Sequence, residues 1–115
     1  MVIALIETLE AVDNIEEIVS VEGIDAVFLG AFDMSVGGGF SGQVSHPTIQ
    51  KALDKILEAC KKRHIPVMHT TTNGLDIDSW IQKGVRMIVQ GSESGVFAKA
   101  CVEFLDSVKH LRNKK

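Results

Sequence analysis

Two acidic residues, Glu7 and Asp33, each come shortly after an apolar segment of this 115-residue sequence. The second segment, VFLGAFDMS at residues 27–35, passes from apolar residues through Gly30 to a carboxylate within a few positions. Magnesium and similar hard cations are commonly held by one or two carboxylates, with substrate and water completing the shell. A glycine at such a point lets the backbone approach a ligand closely. The pattern therefore suggests a site in which Glu7 and Asp33 hold a divalent metal.

The same two acids also have a purely structural interpretation. Acidic residues are common at the start of a helix, where they cap backbone N–H groups and interact favourably with the helix dipole. Which interpretation holds depends on where the surrounding chain places the two carboxylates. If they follow neighbouring parallel strands, they can converge on one cation.

Four short apolar segments predict the β-strands that would position these acids. The segments are residues 2–6, 26–29, 65–68, and 87–89 with their flanks, each too short for a helix. They are apolar throughout instead of alternating, which is typical of parallel strands covered on both faces. Apolar residues at helical spacing predict helices over residues 11–21, 49–62 with Pro47 in the first turn, 77–82 and 96–111.

The predicted order is therefore βαβαβαβα, within a single domain over residues 1–115. Right-handed crossovers place the loops that follow parallel strands on one edge of the sheet, where α/β proteins usually carry their chemistry. Four largely polar loops would meet there: residues 7–8, 30–35, 69–73 and 90–94. Because Glu7 and Asp33 follow consecutive strands, their carboxylates are expected to converge.

The stretch from Ala4 to Leu53 resembles the second half of the HpcH/HpaI family of metal-dependent class II aldolases. In that family a strand ends in glutamate and is followed by a helix rich in Ala, Asn and Ile or Leu, and then by a segment similar to VEGIDGVFIGPADLS. A glycine-rich loop and the pair HP, which opens the next helix, come after it. The corresponding features here are Glu7, residues 11–15, 21–35 and 37–39, and His46-Pro47. A looser resemblance continues through GVRMIVQGSESGVFAKA.

The resemblance implies a (βα)8-barrel enzyme that acts on 2-keto acids with a divalent metal cofactor, Mg, Mn or Co. It assigns Glu7 and Asp33 as the two protein ligands of the metal. The substrate-binding residues Gly30, Ala31, Phe32 and Asp33 would hold the carboxylate of pyruvate. The implied reaction splits a 4-hydroxy-2-keto acid into pyruvate, or a related keto acid, and an aldehyde. A metal-stabilised enolate would form on cleavage, because the cation lies where negative charge develops.

Two departures from the family pattern bear on what this chain can do. Ala31-Phe32 stands where the family usually has Pro-Ala, so the bulky Phe32 is expected to narrow or reshape the keto-acid pocket. The chain also supplies four predicted βα units, whereas a full barrel of about 250 residues has eight. By the resemblance, the catalytic histidine and arginine lie in the other half, so no general base is assigned here.

These features predict a (βα)4 half of a TIM barrel that corresponds to strands 5 to 8, with an open four-stranded doubly wound sheet as the alternative. Four strands cannot close a barrel. The chain is therefore expected to be part of a longer enzyme, or to form a homo-oligomer or pair with a complementary half-barrel through its exposed strand edges. The predicted function is an aldolase domain. The alternatives are a non-catalytic module that binds a metal or keto acid and a purely structural half-barrel.

Composition and charge argue against several other classes of protein. The formal net charge is -3 and the basic runs are short, so nucleic acid meets no continuous basic surface. No apolar run approaches the roughly 20 residues that a membrane helix needs. Cys60 and Cys101 each fall within a helical apolar pattern, which predicts buried, reduced thiols and a cytoplasmic protein.

Other polar and aromatic residues are more simply explained by structure. His69 ends the third predicted strand and is expected to make loop hydrogen bonds, with a role at the site as the alternative. Residues 70–73 are expected to cap the following helix, Glu93 to start a helix, and residues 37–39 to form a mobile loop. The aromatic residues in helical patterns are predicted to be packing residues: Trp80, Phe97 and Phe104.

Overall fold

Four parallel β-strands form one sheet in the computed structural model, which describes residues 1–71 and 76–113. The strands are β1 (Ile3–Ile6), β2 (Ala26–Leu29), β3 (Val67–Thr71) and β4 (Met87–Gln90). Their order in the sheet is also β1-β2-β3-β4, and every neighbouring pair is parallel. A doubly wound sheet reverses its strand order partway, whereas a barrel keeps the sequence order. The observed order therefore confirms the half-barrel prediction and does not fit the doubly wound alternative.

The third strand begins two residues later than predicted. The N–H of Ile65 donates to the carbonyl of Cys60 at 3.0 Å, so Ile65 belongs to the turn that closes the preceding helix. Pro66 has no N–H to donate to a neighbouring strand, although its carbonyl accepts from Val27 at 3.0 Å. The strand then continues through Thr71, beyond the apolar residues that predict it.

Six α-helices occur in the described residues. They are α1 (Leu9–Asp13), α2 (Ile15–Ile18), α3 (Ala31–Gly37), α4 (Pro47–Lys62), α5 (Ile77–Gln82) and α6 (Glu93–Val108), and a 3₁₀-helix, Lys109–Asn113, follows α6. The single helix predicted over residues 11–21 is interrupted at Asn14, which ends α1 and begins α2. Most of residues 30–35, predicted as a loop, belong to α3. The prediction missed this helix because seven residues show too little periodicity to reveal it. None of the described helices could cross a membrane, given their length and hydropathy.

The core lies between the helices and one face of the sheet. Along β3, Val67, His69 and Thr71 are buried and alternate with residues that are only partly buried. Helix α4 supplies much of the opposing surface with its buried residues Ile49, Ala52, Leu53, Ile56, Leu57, Ala59 and Cys60. The predictions that Trp80 and Cys60 are core residues are confirmed, and burial raises the pKa of the Cys60 thiol to about 11.

The other face of the sheet is open. Leu5, Phe28 and Met68 are paired in one row across the sheet. Leu5 is 48% exposed, and Phe28 and Met68 are only partly buried. In a closed barrel, side chains of this row fill the interior. The chain therefore presents the inner surface of a barrel without the half that would enclose it.

Helix α6 does not pack on the sheet. None of its residues is buried, and the structure measures 67 × 30 × 23 Å. Phe97 and Phe104 are each 72% exposed, and Cys101 is also exposed. The predictions that these three residues are buried are therefore wrong for the single chain. Helical periodicity identifies the apolar face of a helix but not the surface that covers it.

Candidate metal and keto-acid site

The register of β1 and β2 places Glu7 and Gly30 side by side at the carboxyl end of the sheet. Ile6 is paired with Leu29, so the next residues, Glu7 and Gly30, leave the sheet at the same level. The N–H of Gly30 donates to the carbonyl of Ile6 at 2.9 Å. A Cβ atom added to Gly30 would lie 2.6 Å from the Cβ of Glu7. Glycine at position 30 therefore permits this close approach of the two segments.

Asp33 follows this contact in α3, which begins directly after Gly30. Asp33 lies in the first turn of this helix, and both Asp33 and Glu7 are exposed. The N–H of Met34 donates to the carbonyl of Gly30 at 2.9 Å and begins the helical ladder. The N–H groups of residues 31–33 precede that ladder and have no partner within the helix. They are the groups for which binding of the keto-acid carboxylate is predicted.

The hydrogen bonds at the start of α1 argue against a capping role for Glu7. The N-cap of α1 is Thr8, whose Oγ1 accepts a hydrogen bond from the N–H of Ala11 at 3.1 Å. In residues 1–71 and 76–113, neither Glu7 nor Asp33 has a side-chain hydrogen bond or an ion pair. Asp33 still lies where the helix dipole favours a negative charge. The Glu7 carboxylate therefore does not cap α1, and its role as a metal ligand stays a prediction.

Replacing Thr8 by alanine is expected to lower the free energy of unfolding by about 1 kcal/mol, because the Ala11 N–H loses its side-chain acceptor. Thr8→Ser keeps the acceptor oxygen and should remain close to the wild type. Urea unfolding followed by the fluorescence of Trp80, the one tryptophan of the sequence, measures both variants. An equal loss of stability in the two variants would contradict the capping role.

The donors at this corner fit a hard divalent cation. Both side chains offer carboxylate oxygens, which Mg²⁺ and Mn²⁺ prefer. The described part of the chain has no group of three or more His, Cys, Asp or Glu side chains that could hold a metal ion. The protein would thus supply the two carboxylates, while the keto acid and water supply the remaining oxygens. Such incomplete protein coordination is common for Mg²⁺ and unlike a closed structural zinc site.

A cavity of about 690 Å³ opens beside this corner. Residues 30–33 contribute to its lining, and it continues to His69 on the buried side of β3. Phe32 is 61% exposed, and an added Cβ on Gly42 would lie 2.9 Å from its ring. The four residues predicted to bind substrate therefore line the same cavity. Their contact with a keto acid stays a prediction.

The structure places His69 within β3 and not in the loop that follows it. Its side chain is 7% exposed, and its imidazole lies 4.1 Å from the Trp80 ring between centroids. The indole Nε1–H of Trp80 donates to Asp76 Oδ2 at 3.2 Å. Burial lowers the pKa of His69, and the charge of Asp76 opposes that shift. Sequence reasoning misses this cluster, for which the four-residue spacing of Asp76 and Trp80 is the only local signal.

The residues predicted to start helices have mixed outcomes. Residues 70–71 belong to β3, and the N-cap of α5 is Asp76, so capping by residues 70–71 is wrong. Residues 72–73 of the same prediction lie outside the described residues. Glu93 lies in the first turn of α6, directly after the N-cap Ser92, which confirms its structural interpretation.

Comparison with known proteins identifies close similarity to one family. The family model described as HpcH/HpaI aldolase/citrate lyase matches residues 1–100. The 5-keto-4-deoxy-D-glucarate aldolase of Klebsiella pneumoniae is 32% identical over 108 residues, which cover 94% of this chain and 42% of that protein. The Escherichia coli protein of the same name (strain K12 / DH10B) is 30% identical with the same coverage. The chain thus spans less than half the length of these relatives.

Solved structures show the same relationship. The crystal structure of citrate synthase SbnG matches with a TM-score of 0.90 and 27% identity, over 99% of this chain and 46% of that chain. The HpcH/HpaI aldolase from Desulfitobacterium hafniense DCB-2 matches with a TM-score of 0.85 and 25% identity, over 93% and 42%. Both matches extend over nearly the whole of this chain and less than half of the other. Since the family model covers residues 1–100 as well, the chain belongs to the HpcH/HpaI aldolase/citrate lyase family.

Proposed function

We propose that this chain is a half-barrel domain of a metal-dependent aldolase and corresponds to strands 5 to 8 of the full (βα)8 barrel. The reaction is the cleavage of a 4-hydroxy-2-keto acid to pyruvate, or a related keto acid, and an aldehyde. The close contact between Glu7 and Gly30 carries the proposal, because Asp33 follows in the first turn of the next helix. In the proposed site, this contact would bring the two exposed carboxylates and the N–H groups of residues 31–33 to one corner of the sheet.

Each part of the corner has its own role in the proposed chemistry. Glu7 and Asp33 would hold Mg²⁺, Mn²⁺ or Co²⁺, which supplies positive charge where the keto acid develops negative charge on cleavage. The N–H groups of residues 31–33 orient the substrate carboxylate. The ring of Phe32 forms part of the cavity wall and limits the size of the keto acid. Gly30 allows the two segments to lie in contact, which both acids would need in order to serve one cation.

Calorimetry with oxalate, an unreactive analogue of the enolate of pyruvate, tests the proposal. We expect oxalate to bind in the presence of Mn²⁺ and to lose this binding in EDTA, because the dianion depends on the cation as its main partner. Oxalate binding that EDTA leaves unchanged would contradict the proposal. So would a folded chain that binds no Mn²⁺.

Turnover distinguishes the aldolase proposal from a non-catalytic binding module. The chain covers 42% of the Klebsiella aldolase, and the family's catalytic histidine and arginine are expected in the other half of the barrel. Release of pyruvate from a 4-hydroxy-2-keto acid, measured with lactate dehydrogenase and NADH, would support the aldolase. Metal-dependent oxalate binding without pyruvate release, even after addition of the complementary half-barrel, would support the binding module.

We also propose that the chain assembles with a second copy through α6. Apolar side chains at helical spacing form one exposed line along α6 and the 3₁₀-helix that follows it, here called the α6 stripe: Phe97, Cys101, Phe104, Val108 and Leu111. Most of the stability of a helix in a protein comes from packing of its apolar face, and none of the residues of α6 is buried. A contiguous exposed apolar surface also indicates an interaction site. The α6 stripe is therefore expected to be covered in the assembled protein.

Strand β4 offers a surface that can receive this helix. Ile88 lies in the same row of paired residues as Leu29 and His69. Leu29 and His69 are 2% and 7% exposed, whereas Ile88 is only partly buried. Since α6 leaves its own β4 uncovered, α6 of one copy can cover β4 of another. A twofold axis makes the exchange reciprocal, which is the commonest symmetry of soluble oligomers.

Phe104→Asp is expected to dissociate this assembly, because a carboxylate would lie in the middle of the α6 stripe. Light scattering after size-exclusion chromatography should give a multiple of the chain mass of 12.5 kDa for the wild type and 12.5 kDa for the variant. Val102 is 57% exposed on the opposite side of α6, so Val102→Asp adds the same charge and should leave the mass unchanged. A monomeric wild type, or equal effects of the two substitutions, would contradict the proposal.

A further inference from the structure

We propose that a second cavity, at the amino end of the sheet, binds a phosphate dianion, either free or as part of a small phosphate ester. This cavity, here called the basic cavity, has a volume of about 370 Å³. Residues from the ends of α4 and α5 and from the segments that lead into β3 and β4 line it. Glu7 and Gly30 lie at the opposite, carboxyl end of the strands, so this site is independent of the proposed function.

The lining of the basic cavity is rich in positive charge. Four lining residues can carry a positive charge, and none of the described lining residues is acidic: Lys61, His64, Lys83 and Arg86. Lys83 is already paired with Asp54 at 2.9 Å. In the part of the chain that the structure describes, Lys61 and Arg86 form no ion pair. A dianion would therefore neutralise two fixed positive charges that border one cavity.

The ends of the helices explain only part of this charge. A lysine in the last turn of a helix interacts favourably with the negative end of the helix dipole, which accounts for Lys61 in α4. Arg86 belongs to no helix, because it lies between α5 and β4. Its N–H donates to the Val67 carbonyl at 2.9 Å, which fixes the backbone of Arg86 beside the sheet, and the residue is exposed. An exposed guanidinium held beside a cavity is well suited to bind an anion.

His64 gives a second indication of a ligand site. Its φ is 57°, in the left-handed region that favours glycine, and it lies in the turn that closes α4 with the hydrogen bond from Ile65 to Cys60. Helix α5 closes with the same kind of turn, but its left-handed residue is Gly84, with a φ of 105°. The chain therefore carries an imidazole where glycine would be less strained, and His64 lines the basic cavity.

The number and origin of these groups favour phosphate over carboxylate. Lys61, His64 and Arg86 come from three segments: α4, the turn after it, and the residue before β4. A phosphate group offers three oxygens and nearly two negative charges at neutral pH, so each basic side chain can meet one oxygen. A carboxylate offers two oxygens and one charge. The volume lies at the lower end of the range for small-molecule sites, and Leu57 and Ile65 give apolar surface for the carbon atoms of an ester.

Calorimetry with glycerol 3-phosphate tests the basic cavity. The titrations are done at low ionic strength, because salt screens exposed charges, and in EDTA, so that a metal at Glu7 and Asp33 plays no part. We expect saturable binding of glycerol 3-phosphate and none of glycerol, which lacks the charged group. Inorganic phosphate distinguishes the two sources of the dianion: weaker binding than the ester indicates an ester site, and equal binding indicates a site for the free ion. Absence of saturable binding of both phosphates would overturn the proposal.

Two charge-matched variants test the assignment of residues. Arg86→Gln should weaken glycerol 3-phosphate binding about tenfold, because the phosphate loses a charged donor that can bind two of its oxygens. Arg63→Gln removes the same charge from an exposed residue that follows α4 and does not line the basic cavity, so it should leave the affinity unchanged. Equal losses in the two variants would attribute the binding to net charge and overturn the site.

His64→Gly separates a ligand role of His64 from a structural one. Glycine adopts a φ of 57° without strain, so the urea midpoint of this variant should rise. Glycerol 3-phosphate binding should nevertheless weaken about threefold, because an exposed hydrogen-bond donor to the dianion is lost. Unchanged binding would overturn the role of His64. Mn²⁺-dependent oxalate binding should be the same in Arg86→Gln and His64→Gly as in the wild type, since the two sites lie at opposite ends of the strands.

Discussion

Glu7→Gln is expected to weaken Mn²⁺-dependent oxalate binding by about 100-fold, because the amide removes both a negative charge and a ligand oxygen from the cation. Asp33→Asn should have a similar effect, since the proposed site has only two protein carboxylates. The loss should appear in calorimetry as weaker binding of Mn²⁺ itself, before oxalate is added. That order of effects distinguishes a metal ligand from a residue that touches only the organic anion.

The stability of the fold should not change on the same substitution. Glu7 is exposed and Thr8, not Glu7, caps α1, so the urea midpoint of Glu7→Gln should match that of the wild type. Glu58→Gln, which removes an exposed charge from α4, is the matched control and should retain full Mn²⁺ affinity. Unchanged oxalate affinity in Glu7→Gln would remove the basis of the metal site. Equal losses in Glu7→Gln and Glu58→Gln would attribute the effect to net charge alone.

The corner formed by Glu7 and Gly30 can be predicted from the sequence because its determinants are local. Each strand is a short apolar run that stops directly before one of these residues, and a single pairing of consecutive strands brings the two together. The chemistry of the site needs no distant contact beyond that pairing. The distance between the Glu7 and Asp33 carboxylates cannot be predicted in this way, because it depends on side-chain geometry that no sequence pattern specifies.

The course of β3 depends on contacts that are distant in sequence. The segment from His69 onward is polar and predicts a loop, yet the strand continues because its polar side chains find partners on the helix-facing side. His69 meets Trp80, and Thr71 Oγ1 donates to Gln90 Oε1 at 2.6 Å. Polarity alone therefore places the end of this strand too early.

Helix α6 shows a different limit of prediction from sequence. Its apolar spacing is plain in the sequence and correctly predicts a helix, but the same spacing is expected whether the helix packs on its own sheet or on another molecule. Burial of Phe97 and Phe104 is wrong for one chain because burial is a property of the partner surface. Sequence periodicity cannot supply the identity of that surface.

Gly30→Ala is expected to damage the fold and the site together. The added Cβ would lie 2.6 Å from the Cβ of Glu7, 3.0 Å from its Cα and 3.1 Å from the carbonyl oxygen of Ile6. Two of these three neighbours are backbone atoms, which cannot turn aside as the end of a side chain can. The end of β1 and the start of α3 must therefore move apart. Strain of this kind typically costs about 1–3 kcal/mol, which urea unfolding would measure.

The same displacement should weaken Mn²⁺-dependent oxalate binding at least tenfold, because it separates Glu7 from the helix that carries Asp33. Gly37→Ala is the control: it lies at the end of α3, and an added Cβ there meets nothing within 4 Å. It should leave oxalate binding unchanged and slightly stabilise the fold, since alanine is the better helix former. If Gly30→Ala folded with reduced stability but bound oxalate normally, closeness of the two segments would not be what makes the site. Because both variants add one methyl group to the same short helix or its N-cap, the difference between them isolates the contact with Glu7.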